Sequence, residues 1–231
     1  MASKKYIMVA DTETANGLME NGKLNLTQSL VYDIGFVIVD KKGNVYERRS
    51  MAIADIFCNM KDIMKSAYYA EKIPSYWEEI RNGSRELVTF MHARDIVLKA
   101  LKKYNITTIS AHNARFDINA LNNTIRYITK SEKRFFFPYG IEIWDTYKGA
   151  MKTICTQKGY IRFCERNGYM TKHTIPRPRA TAEILYRYLS GDNTFKEEHK
   201  GVDDTEIEAK ILTQILRQHS KRCYLQLYAT A

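Results

Sequence analysis

Asp11 and Glu13 stand two residues apart at the end of an apolar run, Tyr6-Ile7-Met8-Val9-Ala10. In a strand, residues i and i+2 project from the same face, so these carboxylates are expected side by side, with Thr12 turned the other way. Carboxylates forced together repel unless a proton or a cation lies between them, and hard divalent cations take oxygen ligands of this kind. A solvated strand-to-loop turn would carry the same pair, so the other acids decide. Asp117 follows the turn His112-Asn113 and falls in the first turn of an expected helix, where the helix dipole favours a carboxylate whatever its function. The last helix opens with His199-Lys200-Gly201-Val202-Asp203-Asp204-Thr205-Glu206. Asp203 with Glu206 fits a capping box, which makes Asp203 the expected N-cap and Asp204, at the first helical position, the expected metal ligand. His199, on a glycine-containing loop just before that helix, has the setting of a proton acceptor. His112 is expected to orient the turn around it.

The pattern around these residues predicts how they are positioned. Strand 1 carries the first pair, an Asn- and Gly-rich stretch over 15–29 reads as a loop, and residues 29–40 read as a buried strand. Lys41-Lys42-Gly43-Asn44 makes a hairpin turn into a third strand over 45–54. Residues 55–104 shift to helical spacing, punctuated by Pro74 and Gly83. Strands follow at 106–111 and 141–145, with a helix from near Phe116 between them, helical turns to about 167, an extended loop over 171–179, and final helices over 180–189 and 204–219. Three meander strands followed by helix-separated strands predict an α/β fold, a central mixed five-stranded sheet flanked by helices. The 231 residues, without repeat or linker, read as a single domain, 1–231.

Composition narrows the function classes. No apolar run is long enough to span a membrane, and the start Met-Ala-Ser-Lys-Lys is not read as a signal peptide. Cys58, Cys155, Cys164 and Cys223 form no CxxC pair, so neither a zinc site nor a disulfide framework is expected, and reduced thiols fit a cytoplasmic location. The net charge is +10, and residues 126–189 hold 13 Lys and Arg against 5 Asp and Glu, with 12 of the 27 aromatic residues. Cations interleaved with rings suit a phosphate backbone with stackable bases, although a solvated basic face over an aromatic core has the same composition.

Taken together, Asp11-Thr12-Glu13-Thr14, then Ala111-His112-Asn113-Ala114-Arg115-Phe116-Asp117, then His199 with Asp204 five later, resemble the three motifs of the DEDDh 3′–5′ exonucleases. That family includes proofreading exonucleases and ribonuclease T-like enzymes on a ribonuclease H-like fold. Tyr32-Asp33-Ile34-Gly35-Phe36 is similar to its second strand and Asp145-Thr146 to the segment before its mid-chain helices, so the resemblance runs from about residue 5 to 215. Residues 147–190 look more like small stand-alone phage-type exonucleases. The chain departs from the pattern in Ala15-Asn16-Gly17, where the family often has Gly two residues after its Glu-Thr, in the long loop that follows, and in an enlarged stretch over 55–90.

The resemblance implies hydrolysis of phosphodiester bonds from the 3′ end of single-stranded DNA, with two Mg²⁺ or Mn²⁺ ions about 3.5–4 Å apart. It implies that Asp11 bridges the ions, Glu13 and Asp204 complete the site of the water-bearing ion, Asp117 supports the second, and His199 takes the proton of the attacking water. Thr12, Thr14, Asn113 and Phe116 are expected near the terminal nucleotide and Arg115 near a phosphate. Lys158, Arg162, Arg166, Lys172, Arg177 and Arg179 are expected to steer the strand. Trimming of RNA in the manner of ribonuclease T or oligoribonuclease is the main alternative, and a catalytically silent nucleic-acid-binding module is a further one. A polymerase or replication partner is left open.

Overall fold

The computed structural model describes residues 5–16, 28–65, 67, 69–218 and the backbone of 226–229. Its strands are β1 (Tyr6–Ala15), β2 (Leu30–Asp40), β3 (Val45–Ile53), β4 (Glu86–Val88), β5 (Thr108–Ala111), β6 (Glu142–Asp145) and β7 (Gln226–Ala229). They form one mixed sheet in the order β4-β3-β2-β1-β5-β6-β7. The five expected strands are its five central members. The sheet is wider than expected, because β4 pairs parallel with β3 at one edge and β7 pairs antiparallel with β6 at the other.

The helices are α1 (Ala54–Phe57), α2 (Lys61–Lys65), α3 (Ile73–Asn82), α4 (Phe90–Lys103), α5 (Ala114–Ile128), α6 (Thr146–Lys152), α7 (Lys158–Asn167), α8 (Ala182–Ser190) and α9 (Gly201–Gln218). Alternation along β1 and β2 divides the core into two layers. Met8, Ala10, Ile34, Phe36 and Ile38 join the cluster under α4 and α5, which includes Phe90, Val97, Leu121 and Ile125. Ile7, Val9, Val37 and Val39 join Ile207, Ile211, Leu212 and Ile215 of α9 on the other face. Fully burying one such aliphatic side chain contributes about 1.5–3 kcal/mol, so a one-residue slip of β1 would be heavily penalised. The odd-numbered series therefore continues on the α9 side at Asp11 and Glu13, and the even series on the α5 side at Thr12.

β1 is the strand at which the sheet changes sense, pairing antiparallel with β2 and parallel with β5. Ligand sites of open α/β sheets gather at the carboxyl ends of parallel strands near such a switch. Among the described residues no helix is long and apolar enough to cross a membrane. Most of the expected 15–29 loop lies outside the described residues, as do His219 and Cys223.

The start of α9 differs from the expectation. The helix begins at Gly201, so Asp203 is not its N-cap and Asp204 is not its first residue. Asp203 and Glu206 instead both pair with the Arg48 guanidinium, at 2.7 and 2.9 Å. The need for a side-chain cap is met elsewhere: the Gly201 N–H donates to Asp33 Oδ2 at 3.1 Å.

Candidate active site

A cavity of about 580 Å³ opens at the carboxyl ends of β1 and β5. Asp11, Thr12, Glu13, Asn113, Phe116, Asp117, His199 and Asp204 all line it, drawn from β1, the β5–α5 turn, α5, the segment before α9, and α9 itself. Each arrives by a separate local device.

Asp11 and Glu13 are carried in by strand alternation, just before a register shift in the β1–β2 ladder between Glu13 and Thr14. Asp11 lies opposite Gly35. With no side chain on Gly35, the first turn of α9 packs directly on the strand, which brings Asp204 to the cavity. Asp33, beside Gly35, holds that turn and is itself held by the Tyr76 hydroxyl at 2.7 Å and by Arg85. Arg85 also donates to Glu79 at 2.9 Å, and Glu79 pairs with Lys200, so α3, β2 and the start of α9 share one charged network.

Asp117 sits in the first turn of α5, as expected, and its Oδ1 accepts from the Thr12 hydroxyl at 2.8 Å. The turn before it is clamped on both sides. Asn113 takes a left-handed backbone, φ 67°, and its N–H donates to Asp145 Oδ1 at 3.2 Å. His112 Nε2 lies 2.7 Å from the Ala180 carbonyl, and Nδ1 lies 2.9 Å from the Thr146 hydroxyl. A carbonyl only accepts, so Nε2 carries the proton. Burial pushes the proton affinity of this imidazole down. His112 thus ties the end of β5 to the start of α6 and to the residue before Thr181, and lines the cavity.

His199 also has a left-handed backbone, φ 49°. Its ring stacks on Tyr69 with centroids 4.2 Å apart and planes 12° from parallel. Ligand atoms of Glu13, His199 and Asp204 lie within 4.8 Å of one another. Burial first, then the nearby Lys72 charge, lowers the proton affinity of His199. A neutral imidazole at neutral pH is able to accept a proton.

The electrostatics of the cavity are those of carboxylates without enough positive charge among them. Burial is the largest cause for each, with mutual repulsion added. Glu13 is pushed up to about 9, with Asp33 the strongest neighbouring charge. Asp204 is pushed up to about 8, with Glu197 and Asp203 beside it. Asp117 rises only to about 7 because the Thr12 hydrogen bond favours its charged form. Asp11 lies well above the ordinary carboxylate range, with Glu208 the strongest charge acting on it. Among the described residues, the buried Asp204 Oδ1 has no hydrogen-bond partner. An orphaned carboxylate oxygen facing further carboxylates fits a hard divalent cation.

Other residues are placed differently. Thr14 is buried in the sheet and does not line the cavity. Arg115, Arg177 and Arg179 are exposed and do not line it either. Arg177 and Arg179 belong to a strap folded back on itself, with a Met170–Pro178 bridge and the Arg179 N–H on the Tyr169 carbonyl at 2.9 Å. The strap leads directly into Thr181 and Ala182 at the cavity rim. Tyr69, Tyr147, Glu197 and Glu208 also line the cavity, and the sequence motifs single out none of these four. Glu208 has a usable signal, since it lies one helical turn after Asp204.

No family model matches the chain, and no curated protein sequence matches it. Solved structures do resemble it. The nuclease domain of 3′hExo, a DEDDh family member bound to rAMP, superposes with TM-score 0.56 at 13% identity, over 100% of this chain and 99% of that one. A 3′-exonuclease that recognises the histone mRNA stem-loop gives 0.57 at 13% identity, over 99% and 69%. E. coli Exonuclease I with a dA16 oligonucleotide gives 0.56 at 12% identity, over 95% of this chain but 42% of the larger enzyme. What this chain shares with these exonucleases is their ribonuclease H-like α/β fold.

Proposed function

We propose that this protein is a divalent-cation-dependent 3′–5′ exonuclease that removes 5′-mononucleotides from the 3′ end of single-stranded DNA. The observation that carries this reading is the gathering of Asp11, Glu13, Asp117, Asp204 and His199 around one cavity on an exonuclease-like fold. Asp11, Glu13, Asp117 and Asp204 would hold two Mg²⁺ or Mn²⁺ ions. When bound, such ions neutralise charge on the reacting phosphate and make water more acidic.

The chain's own residues supply the rest. Thr12 fixes the Asp117 carboxylate, and the Asp33 contact to Gly201 fixes the start of the helix that presents Asp204. As water attacks phosphorus and the bond to the leaving 3′-oxygen breaks, the neutral His199 ring receives the water's proton. Tyr69, stacked on that ring, holds its plane. Phe116 and Asn113 form the wall against which a terminal nucleotide rests, and Phe116 offers a face to its base. The exposed Arg177 and Arg179 draw the strand electrostatically toward the rim.

Trimming of RNA is the second reading. It is favoured by the two fold neighbours solved with rAMP or with an mRNA stem-loop. The two separate in a competition between 5′-labelled single-stranded DNA and RNA of the same sequence, with Mg²⁺ or Mn²⁺ and with EDTA. Faster shortening of DNA supports the first reading. Faster shortening of RNA moves the same residues to the second, and no shortening of either removes both.

A further inference from the structure

We propose that Glu208 is a fifth carboxylate ligand of the divalent-cation site, set by the second turn of α9 beside Asp11, Asp117 and Asp204. The inference rests on the exonuclease reading and deepens it, since the DEDDh resemblance assigns four carboxylates and leaves Glu208 without a role.

Three observations carry it. First, Asp204 and Glu208 are four residues apart on α9, so they share one face of the helix, and both line the cavity. Second, Glu208 is only 3% exposed, in a class of side chain almost never fully buried unless paired. No Lys or Arg pairs with it among the described residues, and the charges near it include the carboxylates Asp11, Asp117, Asp204 and Glu197. A buried carboxylate facing carboxylates is costly unless a cation joins them. Third, Asp204, 4% exposed and one turn earlier on the helix, has an Oδ1 with no hydrogen-bond partner among the described residues, so the face shared by the two acids is open to a ligand.

The competing role for Glu208 is purely structural. Its Oε2 accepts the His112 N–H at 3.2 Å, which ties α9 to the β5–α5 turn. Geometry separates the roles, because that bond uses one oxygen of the carboxylate and leaves the other for the cavity. A glutamine side chain keeps the length, the shape and one acceptor oxygen for His112, and loses the charge.

The experiment is therefore Glu208→Gln, with Mn²⁺ binding measured by calorimetry on the full chain without nucleic acid, and Asp204→Asn as a reference. The expected result is an apparent Mn²⁺ affinity weakened about tenfold or more, with cooperative unfolding of the metal-free variant retained. A variant that folds and binds Mn²⁺ as tightly as the parent overturns the role of Glu208 and leaves the exonuclease reading standing. A parent protein that binds no Mn²⁺ overturns that reading itself. If Glu208→Gln fails to unfold cooperatively, Glu208→Asp serves instead. That variant shortens the side chain by one methylene and keeps the charge, so Mn²⁺ affinity unchanged from the parent would count against direct ligation, and affinity reduced would support it.

Discussion

Gly35 of β2 and Gly201 of α9 are in backbone contact: a β-carbon on Gly35 would lie 2.0 Å from the Gly201 carbonyl carbon and 2.1 Å from the Val202 nitrogen. A β-carbon on Gly201 would lie 2.7 Å from the Gly35 nitrogen and 3.2 Å from the Asp11 carbonyl oxygen. The obstructing atoms are backbone, so nothing can swing aside. The distance between the β1 acids and the α9 acids is set by two absent side chains.

Gly35→Ala is accordingly expected to push the start of α9 off the sheet. Overpacking of this kind costs about 1–3 kcal/mol, and Asp204 would move with the helix. Chemical denaturation should show the loss of stability, and nuclease turnover should fall further than that loss explains. Unchanged turnover at reduced stability would show that Asp204 tolerates the displacement.

Arg85 is buried against Asp33, with the Tyr76 ring 4.1 Å from its guanidinium carbon. Arg85→Met strands a buried carboxylate, which typically costs about 3–5 kcal/mol. Adding Asp33→Asn should restore part of that loss in urea denaturation. Equal stability of the single and double variants would mean that Asp33 carries no charge in the folded protein.

The metal-free protein is expected to lose stability as pH rises. Burial and mutual repulsion push Asp117, Asp204 and Glu13 up to about 7, 8 and 9 in the folded chain, from ordinary values of 3.8, 3.8 and 4.5. Across that interval the folded state holds protons that the unfolded state has released, so ionisation favours unfolding. In EDTA the melting temperature should fall between about pH 5 and pH 9, and Asp204→Asn should flatten the fall. Added Mn²⁺ should raise the melting temperature more at pH 8.5 than at pH 6. A melting temperature that climbs with pH in EDTA would contradict the cluster's electrostatics.

Tyr69→Ala removes the ring stacked on His199, and Tyr69→Phe retains it. Turnover should drop about tenfold in the first and stay near the parent level in the second, with KM changing less than kcat. Equal loss in both would assign the effect to the hydroxyl rather than to the stack.

Arg177→Gln with Arg179→Gln should weaken binding of single-stranded DNA and make its salt dependence shallower. For every phosphate that an arginine no longer neutralises, the slope of log affinity against log salt should shrink by roughly 0.7. Both residues lie outside the cavity, so single-turnover cleavage at saturating DNA should be unaffected.

The parts of this site that are legible in the sequence depend on short-range geometry. Strand alternation suffices to pair Asp11 with Glu13, and a strand–turn–helix junction suffices to aim Asp117. Asp203 misleads because its spacing to Glu206 satisfies the capping rule, while the Gly201 N–H is met by Asp33 from 168 residues away in sequence. Glu208 is legible only through its place one helical turn after Asp204, because a helix glutamate between Ile207 and Ala209 ordinarily reads as solvated. β4 spans three residues, too few for alternation to declare itself, and β7 reaches the sheet edge from beyond the last expected helix. The enlarged 55–90 stretch has no local signature of a site, yet it delivers Tyr69 to the cavity and Tyr76 and Arg85 to the network behind α9.

The most direct test follows 5′-labelled single-stranded DNA incubated with the protein in Mg²⁺ or EDTA, alongside Asp11→Asn. The expected result is a ladder of products that shortens from the 3′ end in Mg²⁺, and none in EDTA or with the variant. Degradation that survives EDTA or Asp11→Asn, or cleavage that begins within the strand, would contradict a metal-dependent 3′–5′ exonuclease.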